Sequence, residues 1–144
     1  MYNSLSTPLR RLYDFETVTM NELTTIKWDF FHIMARTGIC HGYCLYFEAH
    51  FRKGTTDQYI SLKTGPEEPA THWYQTRMLL KEPIGVTKGQ MLKGNLVMIA
   101  NSEQSFDGEL KVEVPGLANT TNKYDMKDLE YRGAYLSYYD WYNQ

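Results

Sequence analysis

Several things are scarce in this sequence. Two cysteines, Cys40 and Cys44, are its only thiols among 144 residues, too few for a disulfide-built scaffold. No run of about 18 apolar residues occurs, which excludes a transmembrane helix. Met1-Tyr2-Asn3-Ser4 does not open a charged-then-apolar secretory leader, and with the sparse cysteines this favours a reducing, intracellular compartment. Positive charge is not in excess. Fifteen basic residues face seventeen acidic ones, for a net charge of −2, so no positive field draws phosphates and direct nucleic-acid binding is not expected. Internal repeats and a domain-splitting linker are missing too, and helical periodicity is almost absent.

What is present points to β structure. Hydrophobic residues make up 42% and charged residues 22%, the composition of a globular chain. The length fits one domain. Aromatics reach 15%, with twelve Tyr, and aromatic residues favour strands. The segment His41–Phe51 alternates with period two, Tyr43, Leu45, Phe47, Ala49 and Phe51 on one face and Cys44, Tyr46, Glu48 and His50 on the other, which predicts one half-buried strand. Ile26–Ile33 and Leu110–Val114 alternate likewise, the latter closed by Pro115-Gly116. Leu96–Ala100 is a continuous apolar run, the pattern of a strand covered on both faces. Trp73–Leu80, Tyr59–Leu62 and Tyr13–Thr17 read as further strands, and Gly85 and Gly89 flank a hairpin turn. Thr19 to Glu22 has capping-box spacing, but so little chain follows that a turn is expected there rather than a helix. The expected fold is mainly β, a single barrel of about eight or nine mostly antiparallel strands over residues 1–134. An aromatic tail follows over residues 135–144. Tyr135, Tyr138, Tyr139, Trp141 and Tyr142 crowd it, and so much apolar surface is expected to pack back on the barrel or on another surface.

Few residues suggest chemistry by spacing alone. In one extended strand Cys40 and Cys44 would share a face but stand about 13 Å apart, too far for a disulfide or for one zinc ion, whose sulfur ligands lie at about 2.3 Å. His41 would point to the other face. No metal site is expected; the cysteines read as small buried thiols. His32 and His50 read as strand histidines with local hydrogen bonds. No serine sits in a nucleophile-elbow pattern, and no Gly-rich loop precedes a helix. The longest connection, Lys63–Ala70, carries Pro66, Pro69 and Gly65, which fix its path. It delivers Thr71-His72-Trp73 at the mouth of the next strand, where rigidly aimed loops carry function. An imidazole beside an indole face suits a cation.

Thr71-His72-Trp73-Tyr74-Gln75 resembles the THW loop of protein arginine methyltransferases. The likeness continues through Met91–Leu96 and Ile99–Asp107, and upstream through Gly38-Ile39-Cys40-His41-Gly42 and its aromatic strand. Tyr74-Gln75, Ile99-Ala100-Asn101 and Gln104-Ser105 point to the coactivator-associated branch. The resemblance spans about Leu12 to Arg132.

That resemblance implies the family's C-terminal β-barrel. Enzymes of this family move a methyl group from S-adenosylmethionine to a guanidinium nitrogen of a protein arginine. A preceding domain binds the cofactor and supplies the glutamate pair that holds the guanidinium, while the barrel forms one wall of the substrate groove. By the same resemblance His72 takes a catalytic place, orienting acidic groups of that other domain, and Thr71, Trp73 and Tyr131 contact substrate. The chemistry fits these types, since a guanidinium stays charged and needs carboxylates to orient it. This chain holds no cofactor-binding βαβ segment and no glutamate-pair loop; Glu67-Glu68 reads as solvated charge. The expectation is a barrel separate from its cofactor domain, without cofactor of its own and inactive alone. Its implied partners are the cofactor-binding domain and arginine-bearing proteins such as histones; full-length members form homodimers, bind no membrane, and work in nucleus and cytoplasm. The alternative is a free-standing β-barrel that binds peptides or other ligands through its aromatic rim.

Overall fold

Apolar alternation builds a four-stranded antiparallel sheet. The computed structural model describes residues 4–51 and 59–126. Within them, strands β1 (Thr25–Ile33), β2 (Gly38–Leu45), β3 (Glu48–Phe51), β4 (Ile60–Lys63), β5 (Thr76–Val86), β6 (Met91–Ala100), β7 (Phe106–Val114) and β8 (Ala118–Asp125) follow one another. The sheet has the order β1-β6-β7-β8, and β2-β5 and β3-β4 form two-stranded ribbons. Every pairing is antiparallel. The mainly β fold read from the sequence is present, with its strands arranged like a barrel whose hydrogen-bonded ladders fall into three sheets.

The core lies between the large sheet and the β2-β5 ribbon. Leu110, Val112 and Val114 of β7 are each 1% exposed, and Met78 and Leu92 face them at the same burial. Burying each such side chain contributes about 1.5–3 kcal/mol. A tight turn joins β7 to β8. Pro115 and Gly116 turn the chain after β7, Gly116 at φ +74° and Leu117 N–H donating to the Val114 carbonyl at 3.0 Å. This is the geometry that Pro at the second and Gly at the third turn position favour.

The structure corrects five sequence expectations. Met20–Thr24 is a helix, α1, because the capping box is complete: Glu22 N–H donates to the Thr19 hydroxyl and Thr19 N–H to the Glu22 carboxylate. One satisfied box sustains a single turn even though β1 starts at once. Tyr13–Thr17 is no strand; Asp14 gathers it into a turn, its carbonyl accepting from Thr17 and Val18 N–H and its carboxylate from Glu16 N–H. The aromatic strand breaks at Tyr46-Phe47 into β2 and β3, which leaves Phe47 and Phe51 exposed although Tyr43 and Leu45 pack on the core. A register shift between Cys40 and Gly42 then undoes the shared cysteine face. Cys40 joins the core, where burial raises its pKa, and so do Tyr43 and Leu45 of opposite parity. Cys44 is half-buried. The run Leu96–Ala100 is covered on one face only: Leu96 is 2% exposed and Ile99 52%.

The register shift also explains how the ribbon meets the sheet. Cys40 pairs with Ile84 but Gly42 with Leu79, so the β5 residues between them have no partner on β2. The strand β8 supplies side-chain partners in this stretch and at its edge. The buried Asn122 side chain accepts from Lys81 N–H at 2.7 Å, and the Tyr124 hydroxyl donates to the Leu79 carbonyl at 2.8 Å. Pro83, inside the unpaired stretch, has no N–H to lose. At Gly42 a Cβ would run into the Met78 carbonyl and the Leu79 Cα, backbone atoms that cannot swing away.

A strap of chain ahead of α1 covers the outer edge of β1. Ala35 N–H donates to the Leu5 carbonyl at 2.8 Å, Arg36 reaches the Ser4 carbonyl, and Arg11 reaches the Lys27 carbonyl. The Ser6 hydroxyl meets His32 Nδ1 at 2.8 Å. His32 lies against the rings of Phe30 and Tyr43, and burial there lowers its pKa, against a smaller opposite pull from a Thr7 backbone hydrogen bond.

Two outcomes are expected. Asn122→Ala leaves Lys81 N–H without its acceptor and is expected to cost about 1 kcal/mol, read as a lower urea midpoint with unchanged slope. His32 binds a proton more readily in the unfolded chain than in the fold, so the stability that its neutral form contributes is complete above its ordinary pKa of 6.5 and is lost as pH falls through the lower folded value. The drop in urea midpoint between pH 7.5 and pH 5 is expected to shrink in His32→Gln; an equal drop in both proteins would refute the assignment.

Candidate functional site

The Pro-bearing loop between β4 and β5 carries Thr71, His72 and Trp73 to an exposed rim. Thr71 sets the local backbone: its hydroxyl accepts from Trp73 N–H at 3.3 Å and donates to the Trp73 carbonyl at 3.2 Å. Such a short side-chain loop holds two successive residues without a helix or ladder. It presents the His72 and Trp73 rings together, centroids 3.8 Å apart and planes tilted by 35°. Phe47, from the break between β2 and β3, meets the Trp73 ring edge-on at 5.8 Å and 80°, a favoured aromatic arrangement. Trp73 remains 41% exposed and Tyr74 90%. The sequence reading began a strand at Trp73; the ladder starts three residues later, at Thr76, opposite Leu45. That shift leaves the two rings on irregular chain instead of inside a sheet.

The base of this loop is tied by residues that the sequence reading passed over. Thr64, 2% exposed, directly follows β4. Its hydroxyl donates to the Phe47 carbonyl at 2.8 Å and accepts from Phe47 N–H at 3.2 Å. Its own N–H donates to the same carbonyl at 3.2 Å. Its carbonyl accepts from the Gln75 side-chain amide at 2.8 Å, which draws the two ends of the loop together. Glu68 closes the inner turn, its N–H donating to the Gly65 carbonyl and its carboxylate 3.4 Å from Lys63 Nζ. Glu67 and Glu68 are both exposed. A clue lay in the sequence, since Thr64 directly precedes the Gly-Pro turn, but a threonine on that spot carries no signature of its partners.

The other sequence candidates scatter. His50 lies on β3, its Nδ1 2.6 Å from the Tyr59 hydroxyl and its Nε2 3.3 Å from Glu48; the same carboxylate reaches Arg10 at 3.3 Å. His32 sits under the strap, apart from the rim. His41 is exposed at the register shift. Tyr131 and the aromatic residues from Tyr135 to Tyr142 lie outside the described residues. Among the described residues, no three His, Cys, Asp or Glu side chains gather as a metal site, and no helix is long and apolar enough to cross a membrane. Nor do these residues build a cradle for a nucleotide-like cofactor: the helix has five residues and no Gly-rich loop leads into it.

An antiparallel β domain with an aromatic rim held on a Pro-framed loop is a recognisable class, and comparison with known proteins narrows it. The family described as the arginine methyltransferase oligomerization subdomain matches residues 4–114. The chain belongs to that family. The histone-arginine methyltransferase CARMER of Anopheles gambiae is 40% identical over 129 residues, which cover 88% of this chain and 20% of the relative. CARMER of Aedes aegypti is 40% identical over 130 residues, with 88% and 21% covered. CARMER of Drosophila ananassae is 43% identical over 107 residues, with 72% and 20% covered. The chain therefore spans about a fifth of the length of these relatives. Among solved structures, the Trypanosoma brucei PRMT1 enzyme–prozyme heterotetrameric complex with AdoHcy shares the fold, with a TM-score of 0.71 at 21% identity, over 80% of this chain and 37% of that one.

Proposed function

We propose that this chain is the substrate-side barrel of an S-adenosylmethionine-dependent protein arginine methyltransferase. The observation that carries the proposal is the exposed His72–Trp73 pair, locked by Thr71 on the rim of a domain belonging to this family. A guanidinium keeps its charge at any ordinary pH. It is well received by an indole face on one side and by carboxylates on the other. The rim provides the aromatic side. His72, open to its surroundings, is placed to hydrogen-bond acidic groups brought by a cofactor-binding domain and to fix their orientation. Thr71 and Trp73 line the arginine path, and Tyr131 belongs to the same wall by family resemblance.

Bound S-adenosylmethionine would supply the methyl group, and by family resemblance it belongs to that other domain. Alone, the chain is inactive. Exposed Phe47, Trp73 and Tyr74 crowd the rim, which supports a surface that another domain covers in the working enzyme. The relatives' names point to histones as substrates, hence to nuclear action, with the cytoplasm a second location. The family's description points to self-association, and a homodimer is the form proposed here.

The test joins this chain to the cofactor domain of the Anopheles gambiae relative and follows methyl transfer to a histone peptide. His72→Ala is expected to lower kcat/KM on the order of 10–100-fold, the size of a positioning loss, while the isolated chain melts as before. The chain alone is expected to give no turnover with labelled S-adenosylmethionine. Turnover by the chain alone, or full activity of the fused His72→Ala enzyme, would overturn the proposal.

A further inference from the structure

We propose that Thr64 is the positioning residue of the rim, acting on Trp73 and His72 without touching substrate. The inference rests on the reading of the rim given above and adds a residue to it. Two routes lead from Thr64 to the rings. The first runs through Phe47. The Thr64 hydroxyl both donates to the Phe47 carbonyl and accepts from Phe47 N–H, so one side chain holds both backbone groups at the point where the aromatic strand breaks. Phe47 in turn buttresses Trp73 edge-on. The second runs through Gln75, whose amide donates to the Thr64 carbonyl and fixes the chain two residues after Trp73. Trp73 is therefore held from its ring and from its backbone by one buried residue.

The chemistry of that residue is narrow. Only a hydroxyl donates and accepts at once from a side chain this short. Serine keeps the hydroxyl and gives up a methyl group. Valine keeps the shape and can make neither bond, so Phe47 N–H loses its acceptor. Loss of these ties leaves the Phe47 backbone held here by the Thr64 N–H alone and loosens the ring against which Trp73 rests. The expected result is a shifted wall in a fold whose core, built on β5, β6 and β7, is untouched.

The experiment uses the fused enzyme described above and the isolated chain in parallel. In the fused enzyme, Thr64→Val is expected to lower kcat/KM for an arginine peptide on the order of tenfold, mostly through KM, because the wall binds ground and transition states alike. Thr64→Ser is expected to restore it to within about twofold of the parent. Gln75→Met, which cuts the second route and leaves the first, is expected to move KM in the same direction and keeps the test open should Thr64→Val fold poorly. Val112→Ala serves as the stability control, a remote core change, assayed well below its melting temperature. The proposal is overturned if the losses from Thr64→Val and Gln75→Met only follow the loss of melting temperature, as in Val112→Ala, or if serine fails to rescue. His72→Ala separates the two readings. Collapse of activity there with normal kinetics in Thr64→Val and Gln75→Met refutes the role of Thr64 alone; unchanged activity in His72→Ala refutes the reading of the rim itself.

Discussion

The side-chain amide of Asn122 is the interaction on which the rest of the arrangement depends. The four-stranded sheet meets the β2-β5 ribbon through apolar packing, and the polar tie between them comes from its last strand. The β5 strand would carry unsatisfied backbone where it leaves β2. One amide makes that tie, accepting from Lys81 N–H while its own N–H group donates to the Thr120 hydroxyl at 3.2 Å. Buried polar groups are tolerated when their oxygen and nitrogen both find partners in this way, and Tyr124 adds a second bond along the same seam. Since β5 begins where the rim loop ends, the strand that the seam holds is also the one that leads out of the rim.

Much of the framework was legible in the residue pattern because the pattern and the physics share a period. Leu110, Val112 and Val114 alternate with Lys111 and Glu113, and they are buried and exposed in that order. Pro115-Gly116 announces its turn because few other pairs fit one. The failures have equally particular causes. The aromatic strand kept its alternation through Tyr46-Phe47, and nothing local shows that a threonine seventeen residues further on pairs with Phe47 and interrupts it. The cysteine faces were assigned by parity, which one register shift reverses. Asn122 and Thr64 are polar residues in polar surroundings of sequence, and their burial follows only from tertiary placement.

The candidate site was legible for a different reason. Thr71-His72-Trp73 follows a loop stiffened by two prolines, and such a loop has few ways to end. Its chemistry, a heteroaromatic base against an indole, was visible as residue types. The relative placement of those rings was not, because it depends on the Thr71 hydroxyl turning back on Trp73 and on the distant Phe47 ring. Resemblance to a family supplied the meaning of the triplet; the fold supplies the reason that it is held in place. The matched stretch, residues 4–114, takes in the strap, the rim and the strands from β1 to β7 together, while β8 and its seam residues follow it.

The strap has a consequence for anyone who trims this protein. β1 is the end strand of its sheet, and the chain running from Ser4 to Arg11 is tied to it at Lys27 and His32 and to Ala35 and Arg36 just past its end. A version started at Thr19 would keep every strand and still bare a nine-residue edge bearing the exposed Phe31 and Ile33. Bare edges of that kind recruit strands from other molecules. The few residues ahead of the first helix therefore act as a guard against aggregation, and solubility is the property that their removal would reach first.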